Sequence, residues 1–290
     1  MWEVKFKNNI TKLIIGITSL LLIINIFIPF YTASAKVMVL PTRVTFENGD
    51  NYATIRLINT EDESVTYRII FIQSKMNENG KIERINTPSN KEQRIAAMMA
   101  QDLIRYSPRQ VTLPANETQL VRLQLNKSAN LNDGEYRSRL LFQEIPSINE
   151  SEEIITEERE EFSIQLEVIF GVSIPVIVRN GETSAEVELT EFNLIKDEED
   201  GKLTEMSFEI IRKGNQSVYG DLEVKYISED GIERIIGRLR RVGVYTDINS
   251  REINFSLTNT ENINLETGKI IVIYKQPPEE GNKILATAEL

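Results

Sequence analysis

Residues 162–178 carry the most regular hydrophobic pattern in the chain. Phe162, Ile164, Leu166 and Val168 alternate with Ser163, Gln165 and Glu167. A strand has period 2, so these seven positions predict one apolar row and one polar row. From Val168 to Val178 almost every position is apolar, which predicts a strand that starts half-exposed and ends buried. The acidic stretch 149–161 before it has no apolar period beyond Ile154-Ile155 and reads as a solvated loop. An ordinary half-buried sandwich strand has this pattern. So does a long, partly covered strand able to template another protein's strand.

The same alternation recurs along the chain in short runs. It predicts strands near 37–46, 52–59, 65–74, 109–113, 119–125, 136–145 and 162–178. Turn signals at Asn48-Gly49-Asp50, Asn79-Gly80 and Asn132-Asp133-Gly134 separate several of them. Seven strands in this length suggest an immunoglobulin-like sandwich. One stretch breaks the period: over 91–104, Ile95, Met98, Met99 and Leu103 fall at helical spacing behind Ser89 and Asn90 as candidate N-caps. This predicts a short helix covering an open end of the sandwich. Arg179-Asn180-Gly181 reads as a hinge. Beyond it, strands are predicted near 185–195, 202–212, 220–228, 233–242, 252–257, 268–275 and 284–290, enough for a second sandwich. The expected fold class is therefore all-β, with two immunoglobulin-like domains at 36–180 and 181–290.

The first 35 residues read as an export signal. Lys5, Lys7 and Lys12 precede an apolar run over 13–30, and Ala33-Ser34-Ala35 supplies a small-x-small site with the cut placed after Ala35. The run is long enough for an uncleaved anchor as well, but Asn25 and Pro29 within it favour cleavage. No other stretch approaches spanning length, so the mature protein is not expected to be membrane-embedded.

Composition narrows the chemistry. The chain has a net charge of −11 and neither cysteine nor histidine. An acidic exported protein does not seek nucleic acid. Without cysteine, packing alone must hold the folds, and thiolate chemistry and a lipoprotein anchor are excluded. Without histidine, Ser-His catalysis and histidine-ligated metals are excluded too. No cofactor, metal site or enzymatic activity is expected.

Four segments in register carry a family resemblance. They are Leu40-Pro41-Thr42-Arg43-Val44-Thr45-Phe46; Ser107-Pro108-Arg109 through Leu113-Pro114 to Val121-Arg122-Leu123; Glu135-Tyr136-Arg137 through Phe142-Gln143-Glu144-Ile145-Pro146; and 162–178. Over 36–180 the chain resembles the periplasmic pilus chaperones of the chaperone–usher pathway, the PapD-like family. The second half matches only in size and strand character.

The resemblance implies an L-shaped pair of sandwiches in the periplasm, with pilin or pilin-like subunits and an outer-membrane usher as partners. It implies that Phe162, Ile164, Leu166 and Val168 form a donor strand that completes an unfinished subunit. Arg43 matches the cleft arginine that holds the subunit's terminal carboxylate. The second expected cation falls at Ser173, so another cation, with Arg105 and Arg109 as candidates, must replace it or the client is held differently. For the family's interdomain clamp Glu135 falls on the acidic member and Glu266 corresponds to the second-domain acid; its arginine would fall at Ile177, and Arg179, two residues on and on the same side of the strand, is expected in its place. The alternative is a secreted structural or adhesive surface protein of two immunoglobulin-like domains, with 162–178 paired inside its own sheet.

Overall fold

A computed structural model describes residues 37–290 apart from 48, 128–129, 147–168, 199–200, 262 and 264–266. The expected export signal, the expected donor residues Phe162, Ile164, Leu166 and Val168, and Glu266 lie outside the described residues.

The first half builds two facing sheets. One has the order β1 (Val37–Leu40), β3 (Tyr52–Asn59), β8 (Thr118–Leu125), β6 (Ile104–Ser107). The other runs β2 (Val44–Phe46), β10 (Gly171–Asn180), β9 (Gly134–Ile145), β4 (Val65–Met76), β5 (Ile82–Ile85), with β7 (Gln110–Leu113) also on β4. Between them lies a core of Phe46, Ile55, Leu57, Ile69, Leu123, Leu140, Phe142 and Val176, all fully or almost fully buried.

The expected single strand over 37–46 is two strands in opposite sheets. Pro41 has no N–H to continue the ladder, and the chain crosses there. Both pieces still face one core, Val37 and Val39 from one side and Val44 and Phe46 from the other. Pro108 stands at a second crossing, between β6 and β7.

The helix expected over 91–104 is shorter. Asn90 caps α1 (Lys91–Ala96) by accepting from the Glu92 N–H at 2.7 Å, a 3₁₀ turn follows at Ala100–Leu103, and β6 then starts at Ile104. The apparent helical spacing of Ile95, Met98, Met99 and Leu103 arises from α1, the link after it and the 3₁₀ turn, not from one helix. β5 and β6 were not predicted, because four-residue strands give too few alternations to register.

The second half repeats the arrangement with a sheet of β11 (Ala185–Lys196), β12 (Leu203–Gly214) and β15 (Ser250–Ser256). It packs on a sheet ordered β14 (Glu233–Val244), β13 (Val218–Ile227), β16 (Lys269–Lys275), β17 (Ile284–Glu289). No strand of one half pairs with a strand of the other among the described residues. Among the same residues, no helix is long and apolar enough to cross a membrane.

With no cysteine, loops are tied by polar side chains. Asn59 is fully buried. Its Nδ2 donates to the carbonyls of Glu63 (2.7 Å), Pro114 (3.0 Å) and Leu113 (3.2 Å), and its Oδ1 accepts from the Glu61 N–H at 3.0 Å. Asn59→Ala would strand these groups, so it should lower stability by about 1–3 kcal/mol. A drop in the urea midpoint without a change in far-ultraviolet dichroism is the expected result.

Candidate functional site

The register of β10 decides what its sheet presents. β10 runs parallel to β2, with Val176 opposite Val44 and Val178 opposite Phe46, and antiparallel to β9, with Pro175 opposite Arg139 and Arg179 opposite Glu135. Ile174, Val176 and Val178 point into the core. Alternation therefore puts Ser173, Pro175, Ile177 and Arg179 on the outer face. Directly paired residues share a face. The outer face thus carries three rows: Glu47, Arg179 and Glu135; Thr45, Ile177 and Arg137; Arg43, Pro175 and Arg139. Glu47 and Arg43 take their places by extending the β2 register one residue each way.

The first row is an ionic junction. Arg179 pairs with Glu47 and with Glu135, the latter at 3.4 Å. Glu135 is 2% exposed, and its Oε2 also accepts from the N–H (3.0 Å) and hydroxyl (2.7 Å) of Ser217 in the second sandwich. Two members of the expected clamp are thus neighbours. Ser217, its counterpart across the junction, went unnoticed in the sequence because a lone serine carries no spacing signal.

The second row makes another junction. Arg137 pairs with Asp247, whose Oδ2 also accepts from the Met76 N–H at 2.9 Å. The Arg137 guanidinium lies 3.9 Å over the Tyr245 ring. Met76, Ile177 and Tyr245 are buried together beside it. Arg212, fully buried in the second sandwich, donates to the carbonyls of Gly214 (2.7 Å), Gln216 (3.0 Å) and Ile248 (3.1 Å), tying together the loops that carry Ser217 and Asp247. Burial lowers the Arg212 guanidinium from its ordinary value, while the charges of Glu135 and Asp247 raise it.

Arg43, alone of the third row, opens on a cleft of about 430 Å³, lined also by Thr45, Glu47 and Arg179 from the first sandwich and by Ser217, Tyr219, Gln276 and Glu280 from the second. Arg43 Nε donates to Thr45 Oγ1 at 3.2 Å, and its guanidinium carbon lies 4.6 Å from the centre of the Tyr219 ring. Arg43 Nη1 is buried and meets no acceptor among the described residues. Burial raises the Tyr219 phenol above its ordinary value, against the pull of Arg241 and Arg43.

Ser173 is not without a cation. Arg139 donates to its hydroxyl (3.0 Å) and its carbonyl (2.6 Å). Two strand spacings separate Arg139 from Arg43, about 10 Å between Cα atoms. Burial lowers the Arg139 guanidinium from its ordinary value, Tyr245 opposes this and Arg137 adds to it. Arg105 and Arg109, the cations proposed from sequence, lie elsewhere. Arg105 is exposed on β6 in the other sheet, and Arg109 stacks 3.8 Å over Tyr106. Arg139 was legible only through the β9–β10 register.

Along β10, only residues 176–178 pair on both sides. Residues 171–175 have β9 on one side and no strand on the other among the described residues. The exposed Ile169, Phe170 and Val172 lie at this end.

No family model matches the chain, and no curated protein sequence matches it. Among solved structures it is similar to the YadV chaperone, at 11% identity over 88% of this chain and 100% of that one, with a TM-score of 0.45. It is also similar to the CupB2 chaperone of Pseudomonas aeruginosa (12% identity, 87% and 98% covered, TM-score 0.41). A third likeness is to the CsuC–CsuE chaperone–tip adhesion subunit complex from Csu pili of Acinetobacter baumannii (15% identity, 88% and 98% covered, TM-score 0.42). The first two of these neighbours are chaperones, and the third is a chaperone with a tip adhesion subunit of a pilus.

Glu135→Ala removes the acceptor shared by Arg179 and Ser217. Breaking a buried pair of this kind costs about 3–5 kcal/mol. The variant should unfold at markedly lower urea and be cleaved faster in the segment after β10, as read by equilibrium unfolding and limited proteolysis.

Proposed function

We propose that this protein is a periplasmic chaperone of the chaperone–usher type, built of domains at 36–180 and 181–290, and that it caps pilin-like subunits by lending them a strand. The observation that carries this reading is that, among the described residues, 171–175 of β10 pair on one side alone. That open edge lies directly downstream of the alternating stretch Phe162, Ile164, Leu166 and Val168. An extended chain can add to such an edge through its backbone, while alternate side chains fill its groove.

The energetics are adequate. Burying one Ile, Leu or Val contributes roughly 1.5–3 kcal/mol. Three or four such side chains, with a ladder of backbone hydrogen bonds, can outweigh the cost of association.

Arg43 would anchor the subunit's terminal carboxylate. Its Nη1 is a buried donor without an acceptor, and a carboxylate would satisfy it with a charge-assisted hydrogen bond. Arg139, reaching Ser173 from the neighbouring strand, stands in this reading for the cation that Ser173 lacks. Release needs no nucleotide: exchange for another subunit's strand at an outer-membrane usher would suffice. The leader ending at Ala35 would direct the chain to the periplasm.

Co-expression with pilin-like subunits followed by pull-down tests the reading. Leu166→Glu should abolish capture while leaving the melting temperature unchanged, and normal capture by this variant would falsify the donor strand. Arg43→Ala should weaken capture roughly 10- to 100-fold, the value of a hydrogen bond to a charged group. Wild-type affinity for that variant would remove Arg43 from the site.

A further inference from the structure

Arg43 belongs to the first sandwich, but part of what holds its guanidinium comes from the second. The Tyr219 ring lies 4.6 Å from the guanidinium carbon, and Thr45 Oγ1 takes Nε at 3.2 Å. An aromatic ring engages the face of a guanidinium and leaves the in-plane N–H groups free to donate. With the face and Nε engaged, the two terminal nitrogens, of which Nη1 is buried and unpartnered, are left for a ligand. An arginine side chain otherwise retains much rotamer freedom, and fixing it on binding carries an entropic cost. Stacking on Tyr219 meets that cost in advance.

The position of Tyr219 follows from the junction beside it. Ser217, whose N–H and hydroxyl both bond Glu135, is two residues before Tyr219. Val218 between them is buried in the core of the second sandwich. Alternation then points Ser217 and Tyr219 to the same side, toward the first sandwich. One strand start thus supplies both the lock on Glu135 and the platform for Arg43.

We infer that Tyr219 is a positioning residue for Arg43, so that the carboxylate site in the cleft is complete only when both sandwiches contribute to it. The inference rests on Arg43 being the anion anchor. It adds that a carboxylate bound there favours the docked placement of the two sandwiches, since the coupling between the two equilibria is reciprocal.

Arginine side-chain nuclear magnetic resonance on the ¹⁵N-labelled mature chain tests this without a client. Sodium acetate is the probe, exchanged for sodium chloride at constant ionic strength, with acetamide as the uncharged control. The Nε–H signal of Arg43, assigned by its loss in Arg43→Lys, should shift with acetate and ignore acetamide. Tyr219→Phe keeps the ring and should titrate as wild type. Tyr219→Leu should need roughly two- to fivefold more acetate. If its backbone spectrum departs from wild type, Tyr219→Thr, which suits a strand, takes its place. A variant lacking the ring that titrates as wild type overturns the positioning role and leaves the anchor intact. A wild-type Arg43 signal indifferent to acetate overturns the anchor reading, and the inference falls with it.

Discussion

The pairing register of β10 is the constraint on which the rest of the molecule depends. This strand joins β2 in parallel and β9 in antiparallel, and both ladders must agree on which residues face out. A one-residue slip would turn Ile174, Val176 and Val178 toward the second sandwich and send Pro175, Ile177 and Arg179 into the core. A charged side chain buried there without a partner would cost several kcal/mol. The hydrophobic core therefore enforces the register, and the register in turn sets the order of the polar rows. Core packing and the cleft chemistry are two faces of one strand alignment.

That alignment explains what could be read from the sequence. Strands of eight or more residues, such as β3, β4 and β8, show enough alternation to be seen, and the two-sandwich class follows from their number. Short strands such as β5 and β6 do not, and β6 was absorbed into a helical pattern because Leu103 and Ile104 happened to continue it. Candidates that lie along the chain were accessible: Arg43 on its apolar strand, Glu135 through the family resemblance, and Arg179 by strand alternation from Ile177. Residues that act across strands or sandwiches were not. Arg139 reaches Ser173 only through the β9–β10 ladder, while Ser217, Tyr219 and Asp247 come from loops and strand ends of the other half. A single sequence carries no record of which strand lies beside which.

The cations on this sheet face divide into two kinds. Arg179 and Arg137 are matched by carboxylates, those of Glu47, Glu135 and Asp247. Arg43 and Arg139 meet neutral groups among the described residues: Thr45 and the Tyr219 ring for the one, Ser173 and Tyr245 for the other. In a chain of net charge −11, with many acids to spare, cations left without a carboxylate on a half-buried face are informative. At the cleft the Arg43 charge favours an incoming anion, against the carboxylates of Glu47, Asp50 and Glu280 that also line it. The matched pairs, by contrast, hold the sandwiches together, with Glu135 Oε1 and Arg137 Nη1 left buried without a partner among the described residues. Sorting arginines by partner separates those that build the junction from those that could bind.

The same sorting bears on why the two sandwiches are joined by polar contacts as well as by the small apolar cluster of Met76, Ile177 and Tyr245. An apolar interface tolerates sliding, because burial is non-directional. Arg137 with Asp247 and Glu135 with Ser217 are directional, and Arg212 fixes both partner loops from within the second core. Buried ionic groups of this type add little net stability over an apolar replacement, but they penalise every arrangement in which they are left unpaired. Here that penalty falls on arrangements that would also lift Tyr219 away from Arg43. The polar junction thus acts on geometry more than on stability, and the geometry it selects is the one that sets the Arg43 guanidinium against Tyr219 at the cleft.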